Sequence, residues 1–130
     1  MDPQQRLGLE VTYEALESAG IPKESLIGKD VGVFVGGSFA DYELHNCRDI
    51  DTAPMFAATG SAACMLSNRI SYYFDLRGPS FTVDTACSSS LTALHQAMTS
   101  LRRKECKHAI VGGSHLNILP DYFVTMSTSQ

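Results

Sequence analysis

Hydrophobic and polar positions along the chain alternate between helix-like and strand-like periods. Asp2-Pro3 followed by Gln4 to Ala19 predicts a helix with proline in its first turn and Gly20 as its stop. Leu9, Tyr13 and Leu16, beside the row Leu7, Val11 and Ala15, give that helix a broad apolar side. Ile21 to Asp30 reads as a connector. Val31-Gly32-Val33-Phe34-Val35 is nearly all apolar, as expected of a strand buried on both faces, and Gly36-Gly37-Ser38 reads as the turn that ends it. Phe39 to Pro54 is polar and irregular and predicts a surface loop. Met55 to Tyr73 predicts a mostly helical stretch, interrupted around Thr59-Gly60-Ser61. Gly78-Pro79 turns the chain into Phe81-Thr82-Val83, a short buried strand of aromatic and β-branched residues. Leu91, Leu94, Met98 and Leu101 then fall on one helical stripe. His108-Ala109-Ile110-Val111 is another buried strand, and Gly112-Gly113 permits a bend or a close backbone approach.

Strands alternating with helices predict an α/β architecture with a layered core. Composition adds exclusions. A length of 130 residues leaves room for a core, and 44% apolar content is that of a globular protein. The net charge is −4 and the basic residues are scattered, which leaves no electrostatic footprint for nucleic acid. Arg102-Arg103-Lys104 closes a helix, where it complements the helix dipole. No apolar run approaches membrane-spanning length and no secretory leader opens the chain, so the expected setting is soluble and intracellular, in the cytoplasm. Cys47, Cys64, Cys87 and Cys106 form no CxxC pair and no metal-ligand spacing with histidine, so neither a metal site nor a disulfide framework is expected.

Cys87 stands apart from the other three. The strand Phe81–Val83 runs through Asp84-Thr85-Ala86 into Cys87-Ser88-Ser89-Ser90-Leu91, which places a thiol at a sharp strand-to-helix junction. Unpaired backbone N–H groups and the positive end of the helix dipole gather there. Such a position favours thiolate over thiol, and it aims backbone donors at the oxyanion formed when a thiolate attacks a carbonyl. The logic is that of a nucleophile elbow with cysteine in place of serine. The competing reading is a small buried hydrophobe, the usual state of a free cysteine.

Asp84-Thr85-Ala86-Cys87-Ser88-Ser89-Ser90-Leu91 resembles the active-site signature of β-ketoacyl synthase (ketosynthase) domains of type I polyketide synthases, members of the thiolase-like condensing-enzyme family. Met1-Asp2-Pro3-Gln4-Gln5-Arg6, Gly32-Val33-Phe34-Val35-Gly36, and Asn68-Arg69-Ile70-Ser71 with Leu76-Arg77-Gly78-Pro79 match further family signatures in order and spacing. The resemblance implies a layered thiolase-like fold of which residues 1–130 are a partial domain, the N-terminal half. It makes Met1 an internal methionine of a domain about three times longer. It implies that Cys87 takes an acyl group from the phosphopantetheine arm of an acyl carrier protein. The acyl-Cys thioester then condenses with a malonyl-type extender by decarboxylative Claisen chemistry. The Cys87 backbone N–H would supply part of the oxyanion hole. A homodimer of the full domain, pairing near Thr59 to Val83, is implied as well. No cofactor is implied for the domain itself.

The family's two catalytic histidines lie in motifs that His45, His95, His108 and His115 do not match. His95 is expected to pack or cap, Asp84 to hold the turn, and Cys64 and Cys106 to pack. His45 and Cys47 are expected to be structural or incidental. Where the family often shows Asn-Leu-Ile-Leu, this chain has His115-Leu116-Asn117-Ile118. Two rivals remain open. One is a non-catalytic relative that shapes a chain-length cavity, although such relatives carry another residue in place of the cysteine. The other is a cysteine hydrolase, which would need a histidine partner that no recognisable spacing supplies.

Overall fold

The structure, a computed structural model, describes residues 1–38, 41–49, 51 and 53–128. Helix α1 spans Pro3–Ser18. The Asp2 side chain accepts from the Gln4 amide at 2.8 Å, proline occupies the first turn, and Gly20 follows the helix with φ of +67°. These are the start and stop that Asp2-Pro3 and Gly20 predict. A short 3₁₀ turn at Lys23–Ser25 interrupts the connector and buries Leu26.

Strand β1 is Val31–Gly37, β2 is Ser80–Val83 and β3 is His108–Ser114. All three are parallel, in the order β2-β1-β3, with Val33 opposite Ser80 on one side and Val31 opposite His108 on the other. Every residue of β1 is buried. Val31, Val33 and Val35 face a cluster of Leu16, Leu26, Leu66, Ile70, Phe74 and Leu76, which come from α1, α4 (Met65–Tyr73) and their flanking turns. Phe34 faces the other way, onto Ala93, Ala97 and Cys106 under α5 (Ser89–Arg102). The result is three layers: helices α1 and α4, the sheet, and helix α5. Burial of a side chain the size of Val or Phe stabilises by about 1.5–3 kcal/mol, so β1 anchors the whole molecule.

Several expectations need correction. The stripe Leu91, Leu94, Met98 and Leu101 points outward, with Leu91 70% exposed, while Ser89, Ala93, Ala97 and Ser100 pack inward. The physical reason is close approach: α5 lies so near β1 that only small side chains fit between them. On α1 the buried positions are Gln4, Gln5, Thr12 and Leu16, whereas Leu7, Val11 and Tyr13 are exposed. Strands β2 and β3 are only partly buried, because each is an edge of the sheet.

The polar segment Phe39 to Pro54, which reads as a surface loop, contains helix α2, Asp41–Asn46; Phe39, Ala40, Ile50 and Thr52 of that segment lie outside the described residues. Between Met55 and Tyr73 the helix is broken at Ala62–Cys64 rather than at Thr59-Gly60-Ser61, which lies in helix α3, Ala57–Ser61. Cys64 is exposed and does not pack, while Cys106 is buried as expected. A final helix, α6, spans Asp121–Ser127. No helix among the described residues is long and apolar enough to cross a membrane.

Candidate active site

In a parallel sheet the carboxyl ends of all strands open on one edge, and ligands bind there. Here that edge collects Gly36-Gly37-Ser38 at the end of β1, Ala86-Cys87 after β2 and Gly113-Ser114-His115 at the end of β3. With Ser89 and Ser90 they line a cavity of about 340 Å³. Cys87 is exposed to it.

The turn that presents Cys87 is held by side chains on both sides. Asp84 Oδ1 accepts from the Ala86 amide at 2.9 Å. The buried Ser89 hydroxyl accepts from the Thr85 amide at 2.8 Å and donates to the Ala86 carbonyl at 2.6 Å. Ser88 Oγ donates to the Thr85 carbonyl at 2.7 Å, and the Ser88 and Ser89 amides donate to the carbonyls of Thr85 and Ala86. None of these bonds takes the amide of Cys87 itself. Ala86 is pinned at φ of +54°, a left-handed conformation that costs a non-glycine residue of order 1 kcal/mol and persists only where its surroundings enforce it. Strain of that kind concentrates where a side chain must be aimed.

Two glycines let α5 start this close to the sheet. A Cβ on Gly36 would stand 2.5 Å from the Ser89 carbonyl carbon and from the Ser90 amide nitrogen, and one on Gly113 would stand 3.0 Å from Ser90 Cβ. Gly36 is therefore a contact surface as well as the end of a strand. Its backbone seats the first turn of α5, whose aligned peptides put positive potential beside Cys87.

The structure separates the other singled-out residues from the cavity. His45 and Cys47 sit in and just after α2, both exposed. His95 is exposed on α5, so its side chain is not packed in the core. His108 begins β3, at the opposite end of the sheet from Cys87. Asp84 holds the turn, as its position suggested. Sequence reasoning missed His115, which the structure places in the wall of the Cys87 cavity. The available signal was topological: it is the residue just past the C-terminal end of a strand parallel to the one that delivers Cys87.

A buried parallel strand, a thiol at the start of a helix, and glycines that admit that helix together frame the cavity at the carboxyl edge of the sheet. The chain belongs to the β-ketoacyl synthase N-terminal domain family, which matches residues 1–130. It is 68% identical over its full length to highly-reducing polyketide synthase 1 of Aureobasidium melanogenum and 58% identical over 127 residues to the highly reducing polyketide synthase azaB of Aspergillus niger. It spans 6% and 5% of those relatives. Among solved structures, the ketosynthase from module 6 of the Bacillus subtilis bacillaene synthase superposes with a TM-score of 0.86 at 34% identity, over 99% of this chain and 21% of that one. An oxazolomycin ketosynthase domain of Streptomyces albus JA3453 gives 0.88 at 38% identity, over 98% of this chain and 22% of that one. The fold is thus the N-terminal part of the thiolase-like ketosynthase fold.

Proposed function

We propose that this chain supplies the nucleophile half of a β-ketoacyl synthase in a polyketide synthase, with Cys87 as the acyl-accepting thiol. The observation that carries the reading is the exposed Cys87 thiol at the N-terminus of α5, on a turn strained at Ala86 and facing a cavity at the carboxyl edge of a parallel sheet. The Cys87 thiolate attacks the carbonyl of an acyl thioester on the phosphopantetheine arm of an acyl carrier protein. The pantetheine sulfur departs and takes up the proton, leaving acyl-Cys87. A malonyl-type extender on a second carrier arm then loses CO₂, and the resulting enolate carbon attacks the acyl-Cys87 carbonyl. The C–S bond breaks, the Cys87 thiolate is regenerated, and a β-ketoacyl carrier thioester leaves. Covalent storage suits this sequence because the starter must wait while the carriers exchange. The Cys87 amide, which the side-chain bonds that hold the turn do not use, donates to the oxyanion in both steps. These steps make the enzyme an acyltransferase, and residues 1–130 the N-terminal half of its ketosynthase domain.

The test is to incubate the intact ketosynthase-containing protein with an acyl carrier thioester and map the modified peptide by mass spectrometry. Acyl label on Cys87 is expected. Cys47 and Cys64 are exposed thiols in the same chain, so label on either of them with Cys87 clean defeats the reading.

Two expectations follow for assembly. The histidines that polarise the extender carbonyl in this family belong to motifs absent from residues 1–130, so the 130-residue chain alone should release no β-ketoacyl product. Its outward Leu91, Leu94, Met98 and Leu101 should also make it bind a hydrophobic dye and aggregate in static light scattering. The complete domain is proposed to be a homodimer across the β2 side. That strand is a sheet edge carrying Phe81, which is 38% exposed. Phe81→Glu should shift the intact domain towards monomer and lower activity with it. A wild-type monomer mass at micromolar concentration with full activity would rule the dimer out.

A further inference from the structure

The buried carboxylate of Asp41 does work that neither the nucleophile nor the core explains. Asp41 opens α2, just beyond the end of β1, and is 6% exposed. Its Oδ2 accepts two backbone amides from a remote segment, Ile118 at 2.9 Å and Leu119 at 3.1 Å. Burying a carboxylate is costly unless its oxygens are satisfied, and charge-assisted bonds to amides are among the stronger ones in proteins. A second tie runs parallel to it at the surface, where Arg48 donates to Asp121 at 3.0 Å. On the near side, Ser114 Oγ donates to Gln4 Oε1 on α1 at 2.7 Å. The segment between these anchors, His115 to Asn117, is therefore strung from Ser114 to Ile118. His115 at its start stands in the wall of the Cys87 cavity, which Ser38 also lines from the end of β1.

We propose that Asp41 is a positioning residue for acyl selection. Its carboxylate locks the segment after β3 to the segment after β1, and so fixes the His115 wall of the cavity in which Cys87 receives its acyl group. The inference rests on the acyl-Cys87 reading. A wall held in place sets how much room the incoming acyl chain has beside the thiol, and a loosened wall lets longer chains in. Asp41 touches neither the thiol nor the acyl group. It acts through the loop.

The experiment uses the intact protein and compares Cys87 acylation by acetyl and octanoyl carrier thioesters. Asp41→Ala should shift the octanoyl-to-acetyl ratio of kcat/KM by about fivefold or more, mainly through KM, since sites discriminate between acyl chains by the space they leave for added methylenes. Asp41→Asn should restore most of the wild-type ratio, because one amide oxygen can still accept both backbone N–H groups. Alkylation of Cys87 by iodoacetamide, a reagent too small to need the wall, should stay within about twofold of wild type. A merely structural role would lower both acyl rates together and leave their ratio alone. Should Asp41→Ala fail to fold, His115→Ala, at an exposed position, changes the same wall without touching the clamp and should shift the ratio in the same direction. An unchanged ratio in a folded Asp41→Ala protein, or in His115→Ala where the former does not fold, overturns the proposal. Absence of acyl-Cys87 in the wild type defeats the underlying reading instead.

Discussion

Replacing Cys87 with alanine should abolish acyl transfer in the intact protein while leaving its fold in place. The thiol is exposed and no bond that holds the turn uses its sulfur, so the stability change should fall within about 0.5 kcal/mol. The catalytic change should be at least on the order of 10³-fold, because loss of a covalent nucleophile removes the whole route. Single-turnover acylation followed by intact-mass spectrometry, set beside thermal melting, reads both quantities. A variant that melts as wild type yet still forms acyl-enzyme would place the nucleophile elsewhere.

The second large effect is expected at a residue with no side chain. A methyl group at Gly36 has backbone in its way, 2.5 Å from both Ser89 C and Ser90 N and 2.7 Å from the Ser89 carbonyl oxygen. Backbone at the start of a 14-residue helix cannot swing aside as a side-chain tip would. Gly36→Ala should therefore either push α5 off the sheet or fail to fold, costing about 3 kcal/mol, at the upper end of overpacking penalties. Because Cys87 rides on that first turn, acylation should fall further than stability does. Gly112→Ala is the matched control: it too lies in a strand, but its Cβ would meet only Val35 Cγ2 at an ordinary 3.8 Å. It should be near neutral, helped by the lower chain entropy of alanine in the unfolded state. Equal unfolding midpoints for the two variants would show that the helix seat is softer than its distances say.

The contrast between these glycines shows what a sequence carries on its face. Strand β1 was legible because four apolar residues around Gly32, flanked by polar and glycine punctuation, leave little else to be. The start of α1 was legible because Asp2-Pro3 has one mechanical use. The nucleophile turn was legible as a strand-to-helix junction, and more so through the family signature it carries. The packing face of α5 was not. Periodicity assumes that large apolar residues face the sheet, whereas the gap between α5 and β1 here admits only Ala93, Ala97 and small hydroxyl residues. Helix α2 was hidden because Asp41-Tyr42-Glu43-Leu44-His45-Asn46 has no apolar stripe; its first residue is tied down by amides far along the chain. His115 was hidden because its neighbourhood with Cys87 exists only once β2 and β3 are known to lie parallel on either side of β1.

That strand order also governs time. Strand β1 is made before both of its partners and is buried on both faces, and those partners, Ser80–Val83 and then His108–Ser114, lie far along the sequence. At about 5–20 residues per second, a ribosome takes several seconds to deliver the second of them. Throughout that interval at least one edge of Val31–Val35 lacks its partner, and pairings this distant in sequence form slowly even when both strands are present. Cells that produce this protein should find its newborn chains in the hands of chaperones, held at β1 until β3 has been released from the exit tunnel.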